Sequence, residues 1–373
     1  MGDLGTFIKG APLSKADISD EGVPFILYGE LYTTYSEVTH SVKRKTNKIV
    51  EQQFYSKIGD VIMPTSGETP EDIATASCIM LPDVILAGDL LIYRTEQIDG
   101  RFVSYAIKNK VNKQISSVAQ GKSVVHVRAE ELAKICVTFP VLDEQKKILD
   151  FLELLDARIK TQQSLIETLK KYKRGLHQRI FCRLSNSKCE KADLRSIATF
   201  CGGGTPSKDV PSYWNGNIGW ISSSDIHEEW VDAISVTRKI NDTAIINSAT
   251  KLCPPGTIAI VSRVGVGKVA LMSESLCTSQ DFTNITSIKG NPLFMAYQIA
   301  YKMKIEATKT QGTSIKGITA EEIKSLKVDI PADDEQCYVA TLLSSFDVRL
   351  RQELHKANCL HDLKNALLQQ LFI

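Results

Sequence analysis

The stretch Phe139-Pro140-Val141-Leu142-Asp143-Glu144-Gln145 returns 191 residues later as Ile330-Pro331-Ala332-Asp333-Asp334-Glu335-Gln336. The match continues ungapped, residues 120–181 falling on residues 311–372. Identical pairs include Gln120/Gln311, Gly121/Gly312, Ser123/Ser314, Glu130/Glu321, Asp156/Asp347, Arg158/Arg349, Lys173/Lys364, Gln178/Gln369 and Phe181/Phe372. Chance similarity between two charged helices would not carry the preceding Gln-Gly-x-Ser and the proline along, so the chain reads as a tandem duplication. A weaker echo lies upstream: Leu4-Gly5-Thr6-Phe7 resembles Ile197-Ala198-Thr199-Phe200, and Gly88-Asp89-Leu90-Leu91-Ile92 resembles Gly256-Thr257-Ile258-Ala259-Ile260. The unit is a variable module followed by a shared segment.

The shared segment predicts a long helix. Residues 143–181 contain no proline and only one glycine, Gly175. Apolar residues recur at Ile148, Leu152, Leu155, Ile159, Ile166, Leu169, Leu176 and Ile180 in heptad steps. The second copy repeats them as Val339, Leu343, Phe346, Leu350, Ala357, Leu360, Leu367 and Leu371. Acidic residues open each copy, where the helix dipole favours negative charge, and Pro140 and Pro331 mark the boundary before it. Such a helix spans roughly 57 Å at ~1.5 Å per residue. One helix cannot bury its stripe alone. The expectation is an antiparallel intramolecular coiled coil with pseudo-two-fold symmetry; the alternative is two helices, each packed only on its own module. Both stripes break at Gln162/Glu353 and Lys173/Lys364. One register sets Lys173 against Glu353 and Gln162 against Lys364; otherwise these polar positions simply face solvent. The run Lys170, Lys171, Lys173, Arg174 reads as a solvated face.

The 373 residues suggest two or three domains. With 43% hydrophobic residues, 24% charged residues and a formal charge of +2, the composition is that of ordinary globular protein, so any nucleic-acid contact must rest on local basic surface. The sequence lacks an apolar run of the ~18–20 residues a membrane span needs. The start, Met1 to Thr6, has no basic and apolar leader pattern. Nine scattered cysteines form no C-x-x-C pair, which points to reduced thiols in a cytoplasmic protein rather than a zinc or disulfide framework.

The expected organisation is a first module at 1–138, a first shared helix at 139–181, a second module at 182–329 and a second helix at 330–373. The modules show short β-like runs, such as Phe25-Ile26-Leu27-Tyr28, Asp60-Val61-Ile62-Met63, Leu90-Leu91-Ile92-Tyr93 and Ile258-Ala259-Ile260-Val261, separated by Gly, Pro, Asn and Asp turns. The fold class is α+β: two mixed α/β modules joined by two long helices.

In the second module, Gly203-Gly204-Thr205-Pro206-Ser207-Lys208 is followed by residues 213–226, Tyr213-Trp214-Asn215-Gly216-Asn217-Ile218-Gly219-Trp220-Ile221-Ser222-Ser223-Ser224-Asp225-Ile226. This looks like the opening of a target-recognition domain in the specificity subunits of type I restriction–modification systems. The segment Gln311-Gly312-Thr313-Ser314-Ile315-Lys316-Gly317-Ile318-Thr319, then Ile330-Pro331 and Glu335-Gln336, resembles that family's passage from recognition domain into conserved helix. The resemblance covers essentially the whole chain. The first module is more divergent, and its start at Met1 looks slightly short of the family's usual opening. Two modules with two Pro-x-x-x-Glu-Gln helices make a specific combination.

The resemblance implies a subunit without catalysis of its own, in which each module reads one half of a split double-stranded DNA site. The helices act as a spacer and, with the modules, dock two adenine methyltransferase subunits, to which restriction–translocase subunits add. S-adenosylmethionine, Mg²⁺ and ATP are then cofactors of those partners, with none bound by this chain. Base readers are usually polar side chains on loops. The candidates are Lys43, Arg44, Lys45, Lys48, Thr65, Ser66 and Arg94 in the first module. In the second they are Thr205, Ser207, Lys208, Ser222, Ser223, Ser224, Asp225, Arg263, Lys268, Gln311, Ser314 and Lys316. Trp214 and Trp220 are expected in the core rather than stacked on bases.

Two other readings compete. A catalytic methyltransferase would need an Asn/Asp-Pro-Pro-aromatic motif, and Asn291-Pro292-Leu293-Phe294 lacks the second proline. Gly267-Lys268 fails as a P-loop, since Ser262 stands at the first glycine position and Val269 follows the lysine. A nuclease centre built from Pro82-Asp83 with Glu144-Gln145-Lys146 fails because the repeat has Cys337 in place of Lys146. The third reading is a coiled-coil scaffold that binds only protein.

Overall fold

A computed structural model describes residues 1–119, 121, 125–310 and 317–372, without the side chains of 309 and 310. The chain divides into two units: residues 1–163 with 356–373, and residues 164–355. Each unit therefore takes helix from both copies of the repeat.

The first unit has a five-stranded sheet in the order Thr6–Lys9, Leu90–Arg94, Asp60–Pro64, Ser77–Ile79, Val38–Thr39. All its pairings are antiparallel except the last. Beside it lies a smaller sheet, Lys45–Thr46, Val23–Leu27, Ile85–Ala87. The first long helical element is α1 (Gly100–Asn109), capped by Asp99, whose side chain accepts from the Arg101 amide. Its Phe102, Val103 and Ala106 pack on the large sheet with Val61 and Tyr93.

The second unit has two four-stranded sheets. One runs Ala198–Gly202, Phe282–Ile288, Ile258–Val261, Val269–Leu271, all antiparallel. The other runs Arg238–Ile240, Ile218–Ile221, Leu276–Thr278, Leu252–Cys253. This order corrects one sequence echo. The strand after Gly256 is third from the edge, the place that Asp60–Pro64 holds in the first unit, not the place of Leu90–Arg94. Gly59, Gly88 and Gly256 all have positive φ before an apolar strand, so that short pattern marks a turn and not a register.

The shared segments form α2 (Leu142–Ser185) and, after α3 (Pro292–Thr310), α4 (Asp333–Leu371). In the first unit Leu149 and Leu152, near the start of α2, share a core with Leu368 and Phe372 at the end of α4. In the second, Phe181 and Leu184 from the end of α2 share one with Val339, Ala340 and Leu343 from the start of α4. The segments run antiparallel in both. Neither helix packs on its own module alone. Where the ends enter a module, burial widens beyond the heptad stripe to Leu149/Ala340 and Phe181/Phe372, because sheet and helix now cover them. The Phe372 ring sits 4.9 Å from Phe102, and Phe181 sits 6.2 Å from Phe294, in equivalent places.

The repeated Glu-Gln pair at the start of each shared helix has a physical reason in the fold. Gln145 is fully buried; its Nε2 donates to the Pro140 carbonyl and its Oε1 accepts from the Asp99 amide at the start of α1. Gln336 repeats this with the Pro331 carbonyl and the Asn291 amide at the start of α3. Each glutamine latches a shared helix to a module helix. Replacing Gln336 with leucine keeps the volume and strands a buried carbonyl and a partly buried amide. Stability should fall by about 2–4 kcal/mol, since each orphaned group costs about 1–3 kcal/mol. Urea unfolding of Gln336→Leu followed through the second unit checks this, and a change under about 1 kcal/mol would show the latch to be replaceable by packing alone.

Candidate nucleic-acid interface

Both units carry the same arrangement on the helices, buried in the second and partly exposed in the first. In the first, Asp156 Oδ2 accepts from the Tyr105 hydroxyl at 2.9 Å, and Lys364 Nζ lies 2.7 Å from Asp156 Oδ1. In the second, Asp347 Oδ2 accepts from the Tyr297 hydroxyl at 2.8 Å, and Lys173 Nζ lies 2.7 Å from Asp347 Oδ1. The aspartate comes from one copy of the helix and the lysine from the other, so each lock is heterologous within its unit. Lys173 is thus neither paired with Glu353 nor on a solvated face: it is 7% exposed, and its ion pair is with Asp347. Lys364 likewise pairs with Asp156. The register expected from sequence stands six residues away, because heptad counting aligned stripe breaks and ignored Asp156 and Asp347, which lie off the stripe. Burial pushes the Asp347 carboxyl above its ordinary range although Lys173 opposes the shift. Burial, then the adjacent Asp156 or Asp347 carboxylate, raises the Tyr105 and Tyr297 hydroxyls, so both stay protonated donors.

The modules meet the lysines differently. In the first unit Glu37 lies 3.6 Å from Lys364 Nζ and 2.7 Å from Lys108 Nζ. In the second, residues 229–232 cross the helices. Lys173 Nζ donates to the Glu229 carbonyl and sits 4.4 Å over the Trp230 ring; Arg351 stacks on the same ring at 5.2 Å and pairs with both Asp232 oxygens.

The candidate reading residues separate into exposed and structural groups. Lys43, Lys45 and Lys48 are exposed around the edge strand Lys45–Thr46; Lys48 lies 3.7 Å from Asp17, and Arg44 is held by Glu30 at 3.0 Å. Ser207, Lys208, Ser224 and Arg263 are exposed; Thr205 and Ser223 are half-buried, and the Thr205 hydroxyl bonds Gln280. Others hold the fold. Arg94 is fixed on Asp60 and donates to the Tyr55 carbonyl. Ser66 is buried against Asp89 and His126, and Thr65 contributes backbone bonds beside it. Asp225 is buried, caps Ser222 and pairs with Arg238, which also takes the Ser222 hydroxyl. Lys268 donates to the carbonyls of Ser223 and Ile226, tying down the turn next to Asp225. The polar atoms of these residues are thus committed to partners inside the protein. Gln311, Ser314 and Lys316 lie outside the described residues, as do Gln120 and Ser123 of the first repeat.

Trp220 is buried with its Nε1–H on the Gly204 carbonyl, and Trp214 stands edge-on to it at 5.1 Å. Asn291, in the near-miss methyltransferase motif, caps α3 through bonds from the Leu293 and Phe294 amides. Among the described residues no His, Cys, Asp and Glu cluster fits a metal ion, and no helix is long and apolar enough to cross a membrane. Sequence reasoning missed Tyr105, Tyr297, Glu37, Trp230 and Arg351. Asp156 and Asp347 stood among the identical repeat pairs, and that identity was the available signal.

The chain is thus a duplicated α+β module in which each unit holds antiparallel helix segments from both copies, joined by one Asp–Lys lock. The family model for the type I restriction modification DNA specificity domain matches residues 1–171 and again residues 186–358, and the chain belongs to that family. It is 28% identical over 184 residues to the MjaIX type I restriction enzyme specificity subunit of Methanocaldococcus jannaschii, covering 48% of this chain and 43% of that one. It is 32% identical over 162 residues to the Escherichia coli EcoR124I/EcoR124II specificity subunit, covering 41% and 40%. In these two matches the chain spans less than half the relative's length. The MjaVIII specificity subunit matches at 21% identity over 93% of this chain and 85% of its own. The solved S subunit from M. genitalium shares the fold, with a TM-score of 0.62 at 16% identity over 100% of this chain and 94% of that one.

Glu37 gives this arrangement a pH signature. Burial alone would raise its carboxyl; Lys108 and Lys364 outweigh that and hold it below its ordinary value of 4.5. A depressed carboxylate stabilises the fold above its unfolded value and loses that contribution as pH falls through the folded one. Thermal unfolding of the wild type should therefore fall off more steeply below about pH 4.5 than that of Glu37→Gln. Parallel acid limbs would show that Glu37 contributes nothing to the lock.

Proposed function

We propose that this chain is the DNA-specificity subunit of a type I restriction–modification complex. The observation that carries the reading is the family match to both halves of the chain, on two modules that are each locked to helix from both copies. In this reading the modules correspond to 1–138 and 182–329, each reads one half of a bipartite double-stranded site, and the helices at 139–181 and 330–373 set the spacer. The chemistry belongs to partners: methyltransferase subunits using S-adenosylmethionine, and restriction–translocase subunits using Mg²⁺ and ATP. The place of action is the cytoplasm.

Two docked methyltransferase subunits suit the exposed apolar residues that recur at equivalent helix positions, Phe151 with Leu342 and Tyr172 with Leu363. Solvent-facing aromatics on a charged helix are natural anchors for a protein partner. For DNA, the exposed cations Lys43, Lys45 and Lys48 suit phosphate contact, while Ser207, Lys208, Ser224 and Arg263 suit the reading loops of the second module. Arg263 stands in a loop beside a cleft of 720 Å³, with Val264 exposed next to it.

The test is selection from a random duplex pool by the full chain co-purified with its methyltransferase partner. A two-part motif with a fixed unread gap is the expected result. Methyl transfer by the chain alone would replace this reading with an enzyme, and no DNA preference with the partner present would leave a protein-only scaffold. Given the motif, two kinds of variant should part company. Lys43→Gln, Lys45→Gln and Lys48→Gln together should weaken every sequence alike and reduce the salt slope by up to about three. Arg263→Ala should relax the second half-site by about 1–3 kcal/mol at one position and leave the first half-site intact. Uniform weakening by Arg263→Ala would assign that residue to phosphate.

A further inference from the structure

The strap that crosses the helices in the second unit is continuous with a candidate reading turn. Ile226 and Ile234 form an antiparallel bridge, and the Ser235 amide donates to the Asp225 carbonyl, so residues 226–234 make a narrow hairpin. At its base is the turn 222–225, shaped by the Ser222–Asp225 capping box and the Arg238 pair. Lys268 draws the two together, with Nζ 3.3 Å from the Ser223 carbonyl and 3.2 Å from that of Ile226. Toward its tip are Trp230, between Lys173 of α2 and Arg351 of α4, and Asp232, on the Arg351 guanidinium at 2.7 and 2.9 Å. Between them Val231 is buried in the core, and its carbonyl accepts from the Leu271 amide. The hairpin therefore has one end on the shared helices and the other on the turn.

We infer that Trp230 and Asp232 are positioning residues for second-half-site reading: they clamp the hairpin to the helix pair and thereby fix where the Ser222–Asp225 turn stands. The inference rests on the DNA-specificity reading and adds to it a named coupling between helix and reading loop. The chemistry suits a clamp. The Trp230 ring takes two cations that are already paired with carboxylates, Lys173 with Asp347 and Arg351 with Asp232, and the paired guanidinium of Arg351 fixes orientation as well as distance. Lys173 is at once the lysine of the helix lock and a cation on this ring, so lock and hairpin share one side chain. In the first module the ring over Lys364 is Tyr105, at 5.6 Å, which already belongs to the helix lock, and Lys364 also meets the Glu37 carboxylate. The clamp belongs to the second module alone, and its loss should affect one half of the motif.

The experiment repeats the selection with Trp230→Ala, Asp232→Asn and Trp230→Phe in the full chain with its methyltransferase partner. Asp232→Asn removes a surface charge and leaves the core intact, so it tests the clamp even where Trp230→Ala folds poorly. Trp230→Ala and Asp232→Asn should admit gaps one base pair longer or shorter and lose about tenfold in second-half-site selectivity, the worth of one mismatched pair. First-half-site selectivity should hold within about twofold, and Trp230→Phe should restore the gap. A single unchanged gap in Asp232→Asn together with Trp230→Ala overturns the inference. Equal loss at both half-sites also overturns it, since that marks a purely structural role. A wild type that selects no two-part motif overturns the DNA reading itself, and so the two failures are distinguishable.

Discussion

A lysine ammonium taken out of water must find a carboxylate, and in this chain the carboxylate lies on the other copy of the repeat. Lys173 is 7% exposed and its partner Asp347 is fully buried. Removing one member of such a pair leaves an uncompensated charge at a cost of about 3–5 kcal/mol. The pair's net contribution to stability over an apolar substitute is small; what it contributes is selection among registers. A heptad of leucines tolerates sliding by whole heptads. A buried lysine that must meet an aspartate does not. Tyr297 strengthens the constraint by donating to the second aspartate oxygen, and Tyr105 does so at Asp156.

The rest of the architecture hangs on that exchange. Because the locks join Asp156 to Lys364 and Lys173 to Asp347, the antiparallel sense of the segments in each unit is built into the charges. The helix ends then enter the modules. Phe372 closes the core around Phe102, and Phe181 closes the core around Phe294 and Tyr301. The glutamine latches add fixed hydrogen bonds at the opposite ends of the same segments. Given these fixed points, the sheets and loops are free to differ, and they do. One module has a five-stranded sheet with a small companion, the other two four-stranded sheets. Even at equivalent helix positions the modules impose their own needs. Leu368 fills an apolar core, while His177 stands edge-on to Tyr297 and Phe181, where burial and the neighbouring Lys173 and Lys304 lower its pKa to about 4 and keep it neutral.

Much of this was legible in the sequence, and the reasons are physical. The duplication, the long helices and their antiparallel pairing follow from strict periodicity and identity over a long ungapped span. Trp220 read as core because a large ring with one polar atom needs only one carbonyl, and Gly204 supplies it. The candidate site was legible only in part. A serine or aspartate in a polar loop looks the same whether it faces solvent or caps a turn, and Asp225 caps a turn. Arg94 looked free because its partner, Asp60, is 34 residues away in sequence and adjacent only across the sheet. Trp230 gave no signal at all: its cations come from two helices and from both copies of the repeat.

The register error shows which rule decides such cases. Counting stripe positions placed Lys173 opposite Glu353, a sound match of sign. Pseudo-symmetry demands more. A charge conserved between the copies must find a partner conserved between the copies, or only one of the two lysines would be neutralised. Glu353 corresponds to Gln162 in the first copy, so a Lys173–Glu353 pair has no charged equivalent there. Asp347 corresponds to Asp156, and both lysines are satisfied at once. Glu353 is instead bound by Arg349 one turn before it on its own helix. In a duplicated helix pair, then, residues identical in both copies fix the register before the hydrophobic stripe does, because desolvated charge is far less tolerant of displacement than apolar surface.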